Sequence, residues 1–216
     1  MDMQSIGWRR AGLHKVSLIV PVYNGEEFIE KALKSIPVRD DIEIIIIDDG
    51  STDNTGKIVK DMCKGRDNIK IITLCANKGL GNAKNVGYDN AKGEYINQLD
   101  CDDFLYTQDY EKVMAELDGT DIVFMDLERN DNSILRFRED TYRNMGSGCA
   151  RFIKREFLAE TRCEEVRWAE DWILSEELEK KNPTKKFTGI VGYHYNYPRE
   201  GSLCYQAIQG MFTPPR

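Results

Sequence analysis

The sequence has no apolar run near the ~20 residues needed to cross a bilayer. Its two strongest stretches, Val16 to Val22 and Ile42 to Ile47, are far shorter, so no membrane span is expected. Trp8, Arg9, Arg10 and Lys15 form too short a patch for more than peripheral contact with an anionic membrane, and residues 1–14 read as a solvated tail. The N-terminus lacks the apolar core of a secretory signal, and the six cysteines form no C-x-x-C pair. Reduced thiols and a cytoplasmic location are therefore expected. A basic excess is also missing: the formal charge is −7 and the pI about 5.1, which excludes a nucleic-acid backbone as partner. Any nucleotide bound here is expected to be small and metal-neutralised. No repeat or low-complexity linker divides the chain. With 41% hydrophobic and 31% charged residues, it reads as one globular domain over residues 15–210, in halves of about 15–127 and 128–210.

From Val16 to about Gly148, short β-rich runs alternate with helical patterns, the order of α/β units on a mostly parallel sheet with helices on both faces. Val16 to Val22 is the first strand, with Pro21 suited to a strand terminus. Glu26 to Ile36 follows as a helix, its apolar positions at helical spacing and its opening glutamates suited to the helix dipole. Glu43 to Ile47 carries four successive isoleucines, the pattern of an interior strand covered on both faces. Further strands are expected at Ile69 to Leu74, Glu94 to Leu99 and Asp121 to Met125, and helices near Leu80 to Lys92 and Tyr110 to Leu117. Beyond Cys149, helices are expected near Ala150 to Glu160 and Asp171 to Lys181, then a β-rich tail from Phe187 to Tyr197.

Ligands of open α/β sheets bind outside the carboxyl ends of the strands, and two of the expected strands end in acidic pairs. Leu99-Asp100-Cys101-Asp102-Asp103 can present carboxylates to one hard cation, with a diphosphate completing its coordination. Capping of the following helix would need one aspartate, not three in four residues. Asp48 and Asp49 alone would read as turn formers. Beside Pro21-Val22-Tyr23-Asn24 they suggest a nucleoside site in which Tyr23 stacks on a base and a carboxylate accepts a base or ribose hydrogen bond. Core packing of Tyr23 is the competing reading.

These segments resemble the family 2 glycosyltransferases of the GT-A (nucleotide-diphospho-sugar transferase) fold over roughly residues 15 to 205. The resemblance rests on Pro21-Val22-Tyr23-Asn24, Asp48-Asp49-Gly50-Ser51-Thr52-Asp53, Asn77-Lys78-Gly79-Leu80-Gly81 with Asn85-Val86-Gly87, and Gly93-Glu94-Tyr95-Ile96 leading into Asp100-Cys101-Asp102-Asp103. It implies sugar transfer from a nucleotide-diphosphate donor, with UDP the nucleotide, to a carbohydrate, lipid-linked or protein acceptor in surface polysaccharide or glycoconjugate synthesis. The family's Asp-x-Asp motif falls on Asp100 and Asp102, which implies Mn²⁺ or Mg²⁺ held by Asp102, with Asp100 at the ribose or the metal. Pro21, Tyr23, Asp49 and Lys84 are the implied nucleotide contacts. Trp168-Ala169-Glu170-Asp171-Trp172 resembles the Glu-Asp motif, which makes Asp171 the implied general base beside Glu170. A helix N-terminus would favour its ionised form. Arg199 and Ser202 fall where the family places a loop closing over the diphosphate. His194, in an aromatic strand, reads as packed more readily than as a ligand.

Several features depart from the pattern. Lys84 stands where many relatives carry arginine, which keeps the charge but loses the bidentate fork. Arg167-Trp168 resembles part of the Gln-x-x-Arg-Trp motif of processive synthases, but Glu164 replaces the glutamine, so single-sugar transfer is expected. Nucleotidyl transfer to a sugar phosphate is a competing reading, opposed by the acidic Asn24-Gly25-Glu26-Glu27 turn, which would repel a triphosphate. A non-catalytic nucleotide-sugar binding module is another, opposed by retention of both acidic motifs. A dinucleotide-binding fingerprint is absent, because Gly79-Leu80-Gly81 lacks the third glycine at the required spacing.

Overall fold

The computed structural model describes residues 14–140, 148–164, 166, 169–197, 199, 200, 202 and 206. Trp8, Arg9, Arg10, Arg167, Trp168 and Cys204 lie outside these residues. The first half runs β1 (Val16–Val22), α1 (Ile29–Ser35), β2 (Ile42–Asp48), α2 (Thr55–Met62), β3 (Ile69–Thr73), α3 (Leu80–Asn90) and β4 (Tyr95–Gln98). The second runs β5 (Phe104–Leu105), α4 (Thr107–Ala115), β6 (Ile122–Arg129), β7 (Ile134–Leu135), a 3₁₀ turn (Gly148–Ala150), β8 (Arg151–Lys154), α5 (Arg155–Leu158), α6 (Glu170–Glu179) and β9 (Lys185–Tyr195). Together the strands form one sheet in the order β3-β2-β1-β4-β8-β6-β9-β5, with β7 on β6.

The β3-β2-β1-β4 half is parallel throughout, in register Val16↔Ile42, Ile44↔Ile69 and Val16↔Tyr95. Beyond β4 the sheet becomes mixed: β8 is antiparallel to β4 and β6, β9 is parallel to β6, and β5 and β7 join antiparallel. The expectation of a mostly parallel sheet thus holds for the first half alone. β8 corrects the reading of Ala150 to Glu160 as a helix. Arg151 to Lys154 insert as a strand between β4 and β6, and the helix that follows is one short turn.

Ile44 to Ile47 are all fully buried, as expected of an interior strand. Right-handed crossovers explain why both faces are covered. The chain moves outward from β1 to β2 to β3, which puts α1 and α2 on one face, where they pack together. It then crosses back from β3 to β4, which puts α3 on the other. There Gly87 lets α3 close on the sheet: a Cβ would lie 2.3 Å from Ile19 Cγ2 and 3.1 Å from Ile47 Cδ1. Pro21 sits past the end of β4. Ile19 C=O accepts from Leu99 N–H on the β4 side, so the N–H that Pro21 lacks would point beyond the paired stretch. α1 starts at Ile29, so Glu26 and Glu27 precede it rather than opening it. Glu26 instead accepts from the Asn54 backbone and side-chain amides at 2.9 and 2.8 Å.

Candidate active site

The loops after β1 and β2 are laced together at the carboxyl edge of the parallel strands. Asn24, at φ 49°, donates its N–H to Ser51 Oγ at 2.9 Å and accepts from Thr52 N–H at 2.8 Å. Gly25 N–H donates to Thr55 Oγ1 at 2.8 Å. Asp48 accepts from Ser51 N–H at 2.9 Å, a turn-forming contact. Asp49 accepts from the Lys78 and Gly79 N–H groups, each at 2.9 Å, and so ties the β2 loop to the loop that starts α3. Buried Pro21 and half-exposed Tyr23 lie at the same edge, and the exposure of Tyr23 counts against core packing.

Three aspartates follow β4, in different surroundings. Asp103 is buried and satisfied: it accepts from Tyr193 O–H at 2.6 Å and Asn196 N–H at 2.8 Å. Tyr193 O also accepts the Asp100 N–H at 3.1 Å, so one phenol on β9 fixes both ends of the turn. Asp102 is partly exposed and accepts from Arg199 Nε at 2.7 Å. Asp100 has a carboxylate oxygen, Oδ1, that is enclosed without a hydrogen-bond partner. Burial pushes its carboxyl up to about 7, Lys84 opposing, with Asp171, Asp102 and Glu170 adding to the rise.

A buried acceptor without a donor, among further carboxylates, is what a divalent cation would satisfy. Ligand atoms of Asp100, Asp103 and Cys149 lie within 4.8 Å of one another, a group that leaves out Asp102. Cys149 suits a hard cation poorly, because burial drives its thiol well above the ordinary range and keeps it protonated. In donor chemistry, carboxylate oxygens such as those of Asp100 and Asp102 suit Mn²⁺ or Mg²⁺ better than a thiol does.

Glu170 and Asp171 open α6, after Ala169 at φ 70°. Both carboxylates turn inward to Lys84 of α3, whose Nζ lies 2.8 Å from Glu170 Oε1 and 2.8 Å from Asp171 Oδ1. The Lys84 side chain is 1% exposed, so this ammonium is enclosed and held by the two carboxylates. The other oxygen of Asp171 accepts from Gly148 N–H at 3.1 Å. Burial pushes the Asp171 carboxyl up, but Lys84, then Arg151 and the Gly148 amide outweigh it and hold it below its ordinary value. Arg151 also donates to the Asp171 carbonyl at 3.3 Å and to Ser175.

From the C-terminal side, Arg199 reaches Asp102 while its guanidinium lies over the Phe28 ring at 4.8 Å. Ser202 N–H donates to Arg199 C=O at 3.1 Å. His194 is packed, stacked on Phe104 at 4.2 Å with Nε2 3.0 Å from Asn130 Oδ1.

Residues 17–165 match the profile of glycosyl transferase family 2, a span from β1 to the segment ahead of α6. This chain belongs to that family. Among the relatives of this chain, an uncharacterized glycosyltransferase, EpsJ, of Bacillus subtilis is 40% identical over 112 residues. The match takes in 50% of this chain and 32% of EpsJ, so the chain spans about a third of that relative. Solved structures share its GT-A fold. S. aureus TarS 1–349 in complex with UDP-GlcNAc superposes with a TM-score of 0.73 at 23% identity, covering 87% of this chain and 60% of that 1–349 chain. The mannosyltransferase PcManGT from Pyrobaculum calidifontis, in complex with GDP-Man and Mn²⁺, gives 0.71 at 19% identity, covering 92% and 61%.

In this chain, Asp49, Asp100 and Asp102 come from the parallel half, and Asp171 and Arg199 from the other. Lys84, expected at the nucleotide, is paired with Glu170 and Asp171, and sequence reasoning missed Gly148, Arg151 and Tyr193 as supports. Gly148 had a detectable signal: it ends the irregular Asn144-Met145-Gly146-Ser147-Gly148 run. Tyr193 lies in the expected aromatic strand, though nothing there marks its hydroxyl's partners, and Arg151 had no signal beyond residue type. Among the described residues no helix is long and apolar enough to cross a membrane, and Cys63, Cys75, Cys101, Cys149 and Cys163 are free.

Proposed function

We propose that this glycosyltransferase is a metal-dependent inverting enzyme that moves a sugar from a UDP-sugar to an acceptor hydroxyl in surface polysaccharide or glycoconjugate synthesis. The unpartnered buried oxygen of Asp100, set among Asp102 and Asp171, carries the reading. Asp100 and Asp102 would hold Mn²⁺ or Mg²⁺, which when bound supplies positive charge to the departing diphosphate. Tyr23 stacks on the base, and Asp49 and Pro21 shape the nucleoside floor. Arg199 and Ser202 would bind the diphosphate, Arg199 exchanging Asp102 for phosphate oxygens as the donor enters.

Positive charge grows at the anomeric carbon as the nucleoside diphosphate leaves. Asp171 accepts the proton of the acceptor hydroxyl as its oxygen attacks from the opposite face, forming one glycosidic bond as the sugar–phosphate bond breaks and inverting the anomeric centre. Asp171 is ionised at neutral pH, as a base must be, while its contact with Lys84 lowers its basicity, so its case rests on its place at the start of α6 beside the acidic cluster. The test is a panel of nucleotide sugars with Mn²⁺, Mg²⁺ or EDTA. Turnover is expected with the metals and not with EDTA, and undiminished turnover in EDTA would overturn the metal requirement. Asp171→Asn is expected to lose transfer while retaining donor affinity, and unchanged turnover would remove Asp171 as the base.

A further inference from the structure

We infer that Lys84 is a positioning residue for the Glu170–Asp171 pair and not a nucleotide contact, holding the Asp171 carboxylate in one orientation relative to the nucleotide-binding half. The inference rests on the reading of Asp171 as the base. Two observations and one property of lysine carry it. The ammonium is enclosed and spends donors on two carboxylates of consecutive residues, both at 2.8 Å. Lysine's three donors can diverge to two such targets, whereas the planar fork of arginine is matched to one. Asp171 is also gripped from its far side by Gly148 N–H, so its carboxylate is fixed from α3 and from the 3₁₀ turn at once.

The helix that carries Lys84 is itself locked in both directions. Gly87 seats it against Ile19 and Ile47 of the parallel half. On the opposite side a Cβ at Gly81 would lie 2.6 Å from the Glu164 carbonyl oxygen, so helix and lobe backbone meet closely there. Asn85 completes the junction: its side chain donates to Cys163 C=O at 2.9 Å and accepts from Cys163 N–H at 2.8 Å. α3 thus belongs to the nucleotide half yet grips the segment leading into α6. Lys84 extends that junction to the proposed reacting carboxylate.

The charged and titratable groups around the pair come from every neighbouring element: Arg151 on β8, Asp100 after β4, Tyr88 on α3, and Cys163 ahead of α6. Lys84 and Arg151 both favour ionised Asp171, so loss of the Lys84 charge moves the acid limb of the kcat profile to higher pH.

The test compares full-length wild type with Lys84→Met, Lys84→Arg and Asp171→Asn. It reads UDP affinity by calorimetry with Mn²⁺, kcat and KM for the best donor of the panel, and the pH profile of kcat. Lys84→Met is expected to lower kcat on the order of 10²-fold and to leave UDP affinity within about twofold. Its acid limb shifts upward, and that of Lys84→Arg returns toward wild type. UDP affinity falling in parallel with kcat would make Lys84 a nucleotide contact and overturn the inference. So would an unchanged kcat, or a loss of kcat with an unmoved acid limb, which marks a purely structural role. Full turnover in Asp171→Asn would instead defeat the reading of the base, a separate result. If Lys84→Met does not fold, Lys84→Met/Glu170→Gln removes one cation with one anion, and the same readouts decide.

Discussion

Gly148 shows how little room the Asp171 carboxylate has. A Cβ there would lie 2.5 Å from Asp171 Oδ1 and 2.6 Å from Gln98 Oε1, closer than such atoms approach one another. The glycine is required by contact with a buried and a partly buried polar group, not by its backbone angles. Neither oxygen can retreat freely, because Asp171 Oδ1 is bound to Lys84 and Gln98 lies on β4 inside the sheet. Gly148→Ala is therefore expected to destabilise the fold by about 1–3 kcal/mol, the ordinary cost of overpacking. It is also expected to lower kcat more than UDP affinity, since the displaced group is the proposed base and not a nucleoside contact. Denaturant melts and calorimetry check the two parts. A variant as stable and active as wild type would mean that the turn yields readily and does not fix the carboxylate.

α3 makes the corresponding case for an element. Glycine costs a helix interior about 1 kcal/mol relative to alanine, so Gly87→Ala would stabilise an isolated helix. Here the added methyl would meet Ile19 and Ile47, fully buried residues on the two strands beneath, and lift the helix from the sheet. The sign therefore reverses, and Gly87→Ala is expected to lose about 1–3 kcal/mol in chemical denaturation; a gain would show that α3 is not seated on the sheet as described. The strands under α3 were legible because Val16 to Val22 and Ile42 to Ile47 are β-rich runs bounded by turn residues. β8 was not legible. Phe152, Ile153 and Phe157 satisfy helical spacing as well as a short strand, and pairing with β4 and β6, remote in sequence, decides between them. β5 and β7 are two residues each, too short for any periodicity to register.

In the whole molecule the site spans the change from parallel to mixed sheet, with the acidic loops on one side and α6 and the Arg199 segment on the other. The motif residues were legible in sequence; their partners were not. Hydrophobic period assigns a residue to a face, but nothing in it joins Lys84 to Asp171 or Asp102 to Arg199, pairs 87 and 97 positions apart. The Arg199–Asp102 pair has a consequence for binding order. Arg199 neutralises a carboxylate proposed to hold the metal, so a cation arriving alone must compete with a guanidinium that also rests on Phe28. A donor arriving with the cation offers Arg199 a diphosphate in exchange. Arg199→Ala is accordingly expected to move two affinities in opposite directions. Mn²⁺ alone should bind about fivefold more tightly, the equivalent of about 1 kcal/mol for a partly exposed ion pair. UDP in the presence of Mn²⁺ should bind more weakly, because its diphosphate loses a cation. Calorimetric titration of the full-length variant with Mn²⁺, and then with UDP at saturating Mn²⁺, reads both. Weaker binding of Mn²⁺ alone would show that Arg199 supports the acidic cluster rather than competing for it, and the exchange would then play no part in donor capture.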